Sequence, residues 1–302
     1  MSNAVKTWLI VAALLIAVGI LICGIVLAVL EFDFTRLDTH HYETNCYGVE
    51  EDFQNITICT AMAQVRFAPS EDGTCRVECL EEDKLKHSVA VRDGTLIVES
   101  VDSRKWYDYI GISFQSAKIT VYLPETVLDT VYIDTQVGHV DIPQVFSVKN
   151  LEISTKTGNA VSYAAVSDSL RIHTATGSVW IGSVDAEGVV DVETDTGGIS
   201  MENVRCEQLS AKCDTGYISL KNVIASGRMQ IENVTGSVEL KGVDAASIFV
   251  KTSTGSVTGT VLSEKIFTAQ SSTGSISVPQ STSGGTCEVF TGTGHIHLRI
   301  EN

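Results

Sequence analysis

A glycine recurs nine times at intervals of 19 or 20 residues, at Gly138, Gly158, Gly177, Gly197, Gly216, Gly236, Gly255, Gly274 and Gly294. Eight of the nine follow a threonine, and Val137 stands before the first. A fixed period of this length marks a repeat architecture, in which a supersecondary unit too small to bury its own apolar face stacks on copies of itself. A chain built this way offers an extended surface rather than one enclosed cleft.

Three columns test the repeat. Seven residues before each glycine stand Val131, Leu151, Leu170, Val190, Leu209, Met229, Ile248, Phe267 and Cys287. Five before stand Ile133, Ile153, Ile172, Val192, Ala211, Ile231, Val250, Ala269 and Val289. Two after stand Val140, Ala160, Val179, Ile199, Ile218, Val238, Val257, Ile276 and Ile296. All are apolar in a chain that is 44% apolar, an outcome with a chance of roughly 10⁻¹⁰.

Offsets of two residues share one face of a strand, so the −7 and −5 columns point inward together. The −3 column, mostly threonine, continues that face and is positioned to form a hydrogen-bonded ladder. The glycine permits a corner that a β-carbon would resist, and the +2 column opens a second strand. Pro143 and Pro279 sit at +5, where a strand ends. Each coil therefore reads as strand, Thr-Gly corner, strand, loop. Outward charges alternate in sign down the stack, as Glu193, Lys212, Glu232, Lys251 at −4 and Glu152, Arg171, Asp191 at −6, which suits in-register stacking. Nine coils at a spacing of about 4.8 Å make a rod of roughly 40 Å. The fold class is all-β, a parallel β-solenoid preceded by one transmembrane helix.

That helix is read over residues 8–30, a run without charge and long enough to cross a bilayer. Lys6 precedes it while Glu31 and Asp33 follow it, a bias that leaves residues 1–7 in the cytoplasm. A cleaved signal peptide is the rival reading. The length of the apolar run and the lack of a small-residue cleavage site after Leu30 favour an uncleaved anchor. Residues 31–41 form a juxtamembrane linker, residues 42–125 a β-rich cap with the first coils, and residues 126–302 the nine-repeat solenoid. From Tyr42 onward the chain has 19 basic and 34 acidic residues. This excludes nucleic acid as a partner and leaves cationic peptides as candidates.

Eight cysteines, one of them in the membrane run, leave an odd number outside and do not form a disulfide framework. Cys213 and Cys287 replace core residues and read as packed thiols. Pairing among Cys46, Cys59, Cys75 and Cys79 stays open. Before the repeats, Arg104 to Tyr109 is the densest aromatic and basic cluster in the chain. Its Trp106 and Tyr107 are candidates for stacking on a sugar or a peptide.

The membrane run, the approach VRDGTLIVES, WYDYIGISF and KITVYLP, and the repeated TxTG-S-V units together resemble the putative-adhesin family of Gram-positive bacteria. The resemblance covers nearly everything after Tyr42. It implies a bacterial, surface-facing β-solenoid, with relatives linked to envelope stress, and it brings no catalytic residues.

Chemistry is sparse. Asp195 and Asp214 occupy the −2 position of adjacent coils, where two carboxylates could share a cation or flank a glycosidic bond. Both also belong to Asp-Thr-Gly corners that use carboxylates structurally. His295 and His297 face outward without a third ligand. No cofactor is expected. Trp180 at +3 and Tyr217 at +1 are the outward aromatics of the repeat face and the candidate contacts there. The chain reads as a non-enzymatic, membrane-anchored surface module whose partner is a host or envelope glycan or protein. The alternatives are an envelope-stress sensor or decoy binding cationic antimicrobial peptides, and a β-helix carbohydrate-active enzyme.

Overall fold

The computed structural model describes residues 3–29, 31–32, 40–109, 113 and 115–301. Of the expected linker, residues 33–39 lie outside the described residues. The chain divides into two compact units, residues 1–41 with 104–115, and residues 42–103 with 116–302.

In the first unit, helix α1 spans Asn3–Val29. It starts five residues before the uncharged run and takes Lys6 into its first turns. Its apolar stretch Val5–Val29 has mean hydropathy 3.2 and a length of about 38 Å, so it could span a membrane. Beyond Lys6 and Thr7 its described side chains are apolar on all sides and almost all exposed, which suits lipid rather than a protein core.

The second unit is a parallel β-solenoid. Each repeat contributes one strand before its Thr-Gly corner and one after it, and equivalent strands of neighbouring coils pair in register, as Leu151 with Leu170 and Ala160 with Val179. The −7, −5 and +2 columns are buried in every coil but one. The −3 ladder forms, but its acceptor is backbone. Thr174 donates to the Gly158 carbonyl at 3.1 Å, Thr194 to Gly177 at 2.9 Å, and Asn233 to Gly216 at 3.0 Å. The glycine itself is demanded by contact: a β-carbon on Gly197 would lie 1.9 Å from the Gly177 carbonyl oxygen.

In four coils the second strand carries a second corner at +6, while other coils keep the expected loop, as between strands Val140–Ile142 and Ser147–Thr157. Ser183, Asn203, Asn222 and Gly242 all have φ between 53° and 61° there. This residue shifts the inward phase, so that Ile218 and Leu220 are followed inward by Val223 and Ala225. Asn222 donates to Asn203 at 3.0 Å along that corner. Some strands run straight through, as Ile218–Thr235 does.

Both ends depart from sequential stacking. At the C-terminal end the Gly294 coil lies between the Gly255 and Gly274 coils: strand Gly285–Thr293 pairs with Val238–Thr254 on one side and Lys265–Thr273 on the other. The Gly274 coil is thus terminal. Stacking order therefore departs from sequence order at this end. A glycine pair threads the chain back: β-carbons on Gly284 and Gly285 would lie 1.8 Å from the Glu264 carbonyl and 2.1 Å from that of Ala246.

The N-terminal end is reversed in the same way. The seven strands here are β1 (Tyr42–Val49), β2 (Asn55–Met62), β3 (Gln64–Pro69), β4 (Cys75–Glu82), β5 (Leu85–Arg92), β6 (Thr95–Asp102) and β7 (Lys118–Leu123). The β2–β3 coil stacks on the Gly138 coil, and β6 and β7 stack on it in turn. Antiparallel strands finish this end, β5 on β6 in one row, and β4 on β7 with β1 on β4 in the other.

Candidate interaction surface

The outward face of the second strand row carries the most distinctive surface. Trp180 and Tyr217 both lie on it, in coils whose strands are separated by one. Tyr217, 45% exposed, lays its ring over Gly198, where a β-carbon would stand 2.3 Å from Cε1. The Ser200 hydroxyl, beside Trp180 in the register, reaches the Tyr217 hydroxyl at 3.5 Å. Tyr163, also 45% exposed, lies over Gly182 in the same manner. Positions +5, +3 and +1 in descending coils make a diagonal of Tyr163, Trp180 and Tyr217. Two glycines leave room for the phenol rings to lie flat on the strands. The sequence reading missed Tyr163; its odd offset from the inward +2 and +4 positions was the available signal.

The other predicted residues are not gathered here. Asp195 and Asp214 are exposed neighbours, since Thr194 pairs with Cys213 and Thr196 with Thr215. His295 has its Nδ1 accepting from the Ser275 amide at 3.0 Å, and His297 accepts from Arg299 at 2.9 Å. In the other unit, Trp106 and Tyr107 lie in a short 3₁₀ turn, Trp106–Tyr109. They are 77% and 48% exposed and meet edge-on at 5.8 Å. Lys105 stands 5.9 Å from the Tyr107 ring, a cation–π arrangement.

A second outward cluster depends on the reordered coils. Phe249 and Phe290 meet at 5.9 Å, and the Arg228 guanidinium lies 5.7 Å from the Phe249 ring. These phenylalanines lie in the Gly255 and Gly294 coils, neighbours in space but separated by a repeat in sequence, so periodicity could not pair them. Near the N-terminal end a cleft of about 740 Å³ is bordered by Val49, Glu50, Glu51, Asp52, Phe53 and Arg76. It joins three carboxylates to an apolar wall.

Beneath that end lies a buried polar network. Glu81 and His87 are 0% and 4% exposed. The carboxylate accepts from the His87 amide at 2.6 Å and from Asn45 at 2.7 Å, and it meets His87 Nδ1 at 2.8 Å. Thr60 lies 3.0 Å from His87 Nε2, and Tyr47 donates to the His87 carbonyl at 3.1 Å. Burial, with Glu81 adding to it, raises the Tyr47 phenol above its ordinary range. Cys79 joins Glu81 and His87 with ligand atoms within 4.8 Å of one another. Burial first, and Glu81 next, pushes its thiol up to about 12. With the carboxylate and imidazole engaged by each other and by neighbours, the cluster is a structural lock for the end coils. All eight cysteines stand as free thiols in the structure.

Fold and surface define a repeat protein that presents side chains on a parallel β-solenoid. The chain belongs to the Toastrack DUF4097 family, whose model matches residues 53–299. Solved structures that resemble it include a putative adhesin from Bacteroides fragilis NCTC 9343, at 17% identity over 86% of this chain and 97% of that one, with TM-score 0.42. A putative adhesin from Parabacteroides distasonis ATCC 8503 is 11% identical over 86% and 98%, with TM-score 0.40. A putative cell adhesion protein from Clostridium sporogenes ATCC 15579 is 10% identical over 87% and 100%, with TM-score 0.28. No curated protein matches the chain.

Proposed function

We propose that this chain is a non-enzymatic surface interaction module, anchored by α1 with its solenoid outside the cell, that binds an envelope or host glycan or protein through the Tyr163–Trp180–Tyr217 diagonal. The observation that carries this reading is the pair of phenol rings laid on Gly182 and Gly198 beside an outward tryptophan. Flat, pre-ordered aromatic faces suit the apolar face of a sugar or a peptide side chain, and they lose little rotamer entropy on binding. Trp106 and Tyr107 are offered as a separate contact.

Binding of the full chain in detergent to an envelope polysaccharide array tests the reading. The triple variant Tyr163→Ala, Trp180→Ala, Tyr217→Ala should lose binding at an unchanged melting temperature. Unchanged binding by a folded triple variant refutes it.

A second reading is favoured by the formal charge of −16 and by Glu50, Glu51 and Asp52 at the apolar cleft. Such a surface suits capture of cationic antimicrobial peptides in envelope stress. Saturable peptide binding that fades with salt supports it; binding indifferent to salt counts against it.

A further inference from the structure

The two ends of the solenoid treat their strand edges differently. At the N-terminal end the edge strands β1 and β5 carry Glu43, Lys86 and Arg92, with Lys86 paired to Glu43 at 2.5 Å. The Glu81–His87 pair points inward just beneath them. Edge charges and inward-pointing charges are the devices that keep a sheet from accepting another strand.

The C-terminal end has no charge on its exposed edge, and its one inward-pointing charge, Lys265, is already paired within the chain. From Lys265 to Gly285 the sequence holds a single charged residue in a chain that is 19% charged. That residue, Lys265, is 3% exposed and engaged with Asp244 at 2.5 Å and Ser263 at 2.6 Å. Strand Lys265–Thr273 pairs on one side alone among the described residues, with Gly285–Thr293. Its inward side chains Phe267 and Ala269 are half-buried, and Ile276 in the same coil is 44% exposed. The end of the core is therefore bare.

We infer that this end pairs with the same end of a second copy of the chain, strand Lys265–Thr273 lying antiparallel to its own two-fold mate. Charge argues for self-pairing here and against it elsewhere: two copies each near −16 repel, and this edge is where no like charges would meet. The strand is also complementary to itself. A two-fold axis at Ala269, perpendicular to the sheet, keeps inward residues inward and runs the core on into the second copy. It sets Phe267 opposite Ser271 of the second copy, large against small, and Ala269 opposite its own counterpart. Outward, Thr268 falls opposite Gln270. Identical patches facing one another close the assembly at two and prevent a filament. The contact needs no outside ligand, so it stands apart from the aromatic diagonal.

Sedimentation equilibrium of the full chain in a density-matched detergent tests the pairing. The wild type should sediment as a dimer. The double variant Thr268→Lys, Gln270→Lys changes two exposed side chains and places two like-charged pairs across the two-fold, which should weaken the dimer about tenfold. Mixing it with the double variant Thr268→Glu, Gln270→Glu should restore a dimer containing one of each. A monomeric wild type, or a dimer indifferent to the lysine variant, overturns the inference. A monomer that still binds its polysaccharide overturns this inference alone and leaves the surface reading standing.

Discussion

Substituting Gly197 by alanine tests the close stacking on which the whole fold depends. The new methyl would sit 1.9 Å from the Gly177 carbonyl oxygen and 2.5 Å from its carbon, at a backbone φ of 146°. Neither neighbour is a side chain that can swing aside. Strain in that region costs about 1–3 kcal/mol. Relieving the clash means moving one coil off the other, which breaks the 2.9 Å bond from Thr194 to the Gly177 carbonyl. An orphaned buried carbonyl adds about 1–3 kcal/mol, so the total is about 2–6 kcal/mol. Because coils interact with nearest neighbours, the damage should be local. Hydrogen exchange read by mass spectrometry should show protection lost across the Gly177 and Gly197 coils and kept in the Gly138 coil. Gly48→Ala, where a β-carbon would meet nothing within 4 Å, is the control. If Gly197→Ala exchanges no faster than that control, the contact does not set the stacking.

The −3 column yields a matched pair of expectations. Thr194→Val removes a made hydrogen bond and should cost about 1 kcal/mol, while Thr135, fully buried with an unpartnered hydroxyl, should accept Thr135→Val without loss or with a gain; urea midpoints for the two variants decide this. His87→Ala strips the buried Glu81 carboxylate of its imidazole partner and should cost about 3–5 kcal/mol, seen as a fall in melting temperature. Burial pushes the thiols of Cys206 and Cys287 up to about 12. A folded pKa above the unfolded one means that the unfolded chain loses its protons first, so stability should fall as pH rises from about 9 toward 12. A melting temperature that stays flat over that window, matching a Cys206→Ala, Cys287→Ala variant, would contradict the assignment.

What the sequence made legible follows from what side chains can advertise. The inward columns, the Thr-Gly corner and the outward Trp180 and Tyr217 are properties of residue type at fixed spacing, and they were read. The acceptor for the threonine ladder is a backbone carbonyl one coil away, which no side chain announces. The +6 corner left a trace in Asn203, Asn222 and Gly242, residues that tolerate a left-handed backbone, but Ser183 blurred the column. Glu81 and His87 belong to no repeat column, and only the antiparallel end strands turn them inward together. The aromatic diagonal was two-thirds visible, because Tyr163 falls in a column with no other aromatic.

Coil order was illegible for a deeper reason: every Thr-Gly coil offers its neighbours the same chemistry, so the period is preserved however the last two are stacked. Ile276 and Ile296 show the consequence. Both occupy +2 and look identical in sequence, yet one is 44% exposed and the other 1%. Ile296→Lys forces an ammonium into a packed core with no partner, a change worth several kcal/mol. Ile276→Lys puts the same group at the bare end, where an exposed substitution should stay within about 1 kcal/mol. Had the coils stacked in sequence order, Ile296 would lie at the end, Ile276 would be covered, and the two effects would exchange. Melting temperatures of the two variants, taken at dilution so that pairing between copies does not enter, therefore report the order directly. A larger loss from Ile276→Lys than from Ile296→Lys would refute the inserted last coil, and with it the bare edge that the Gly274 coil presents.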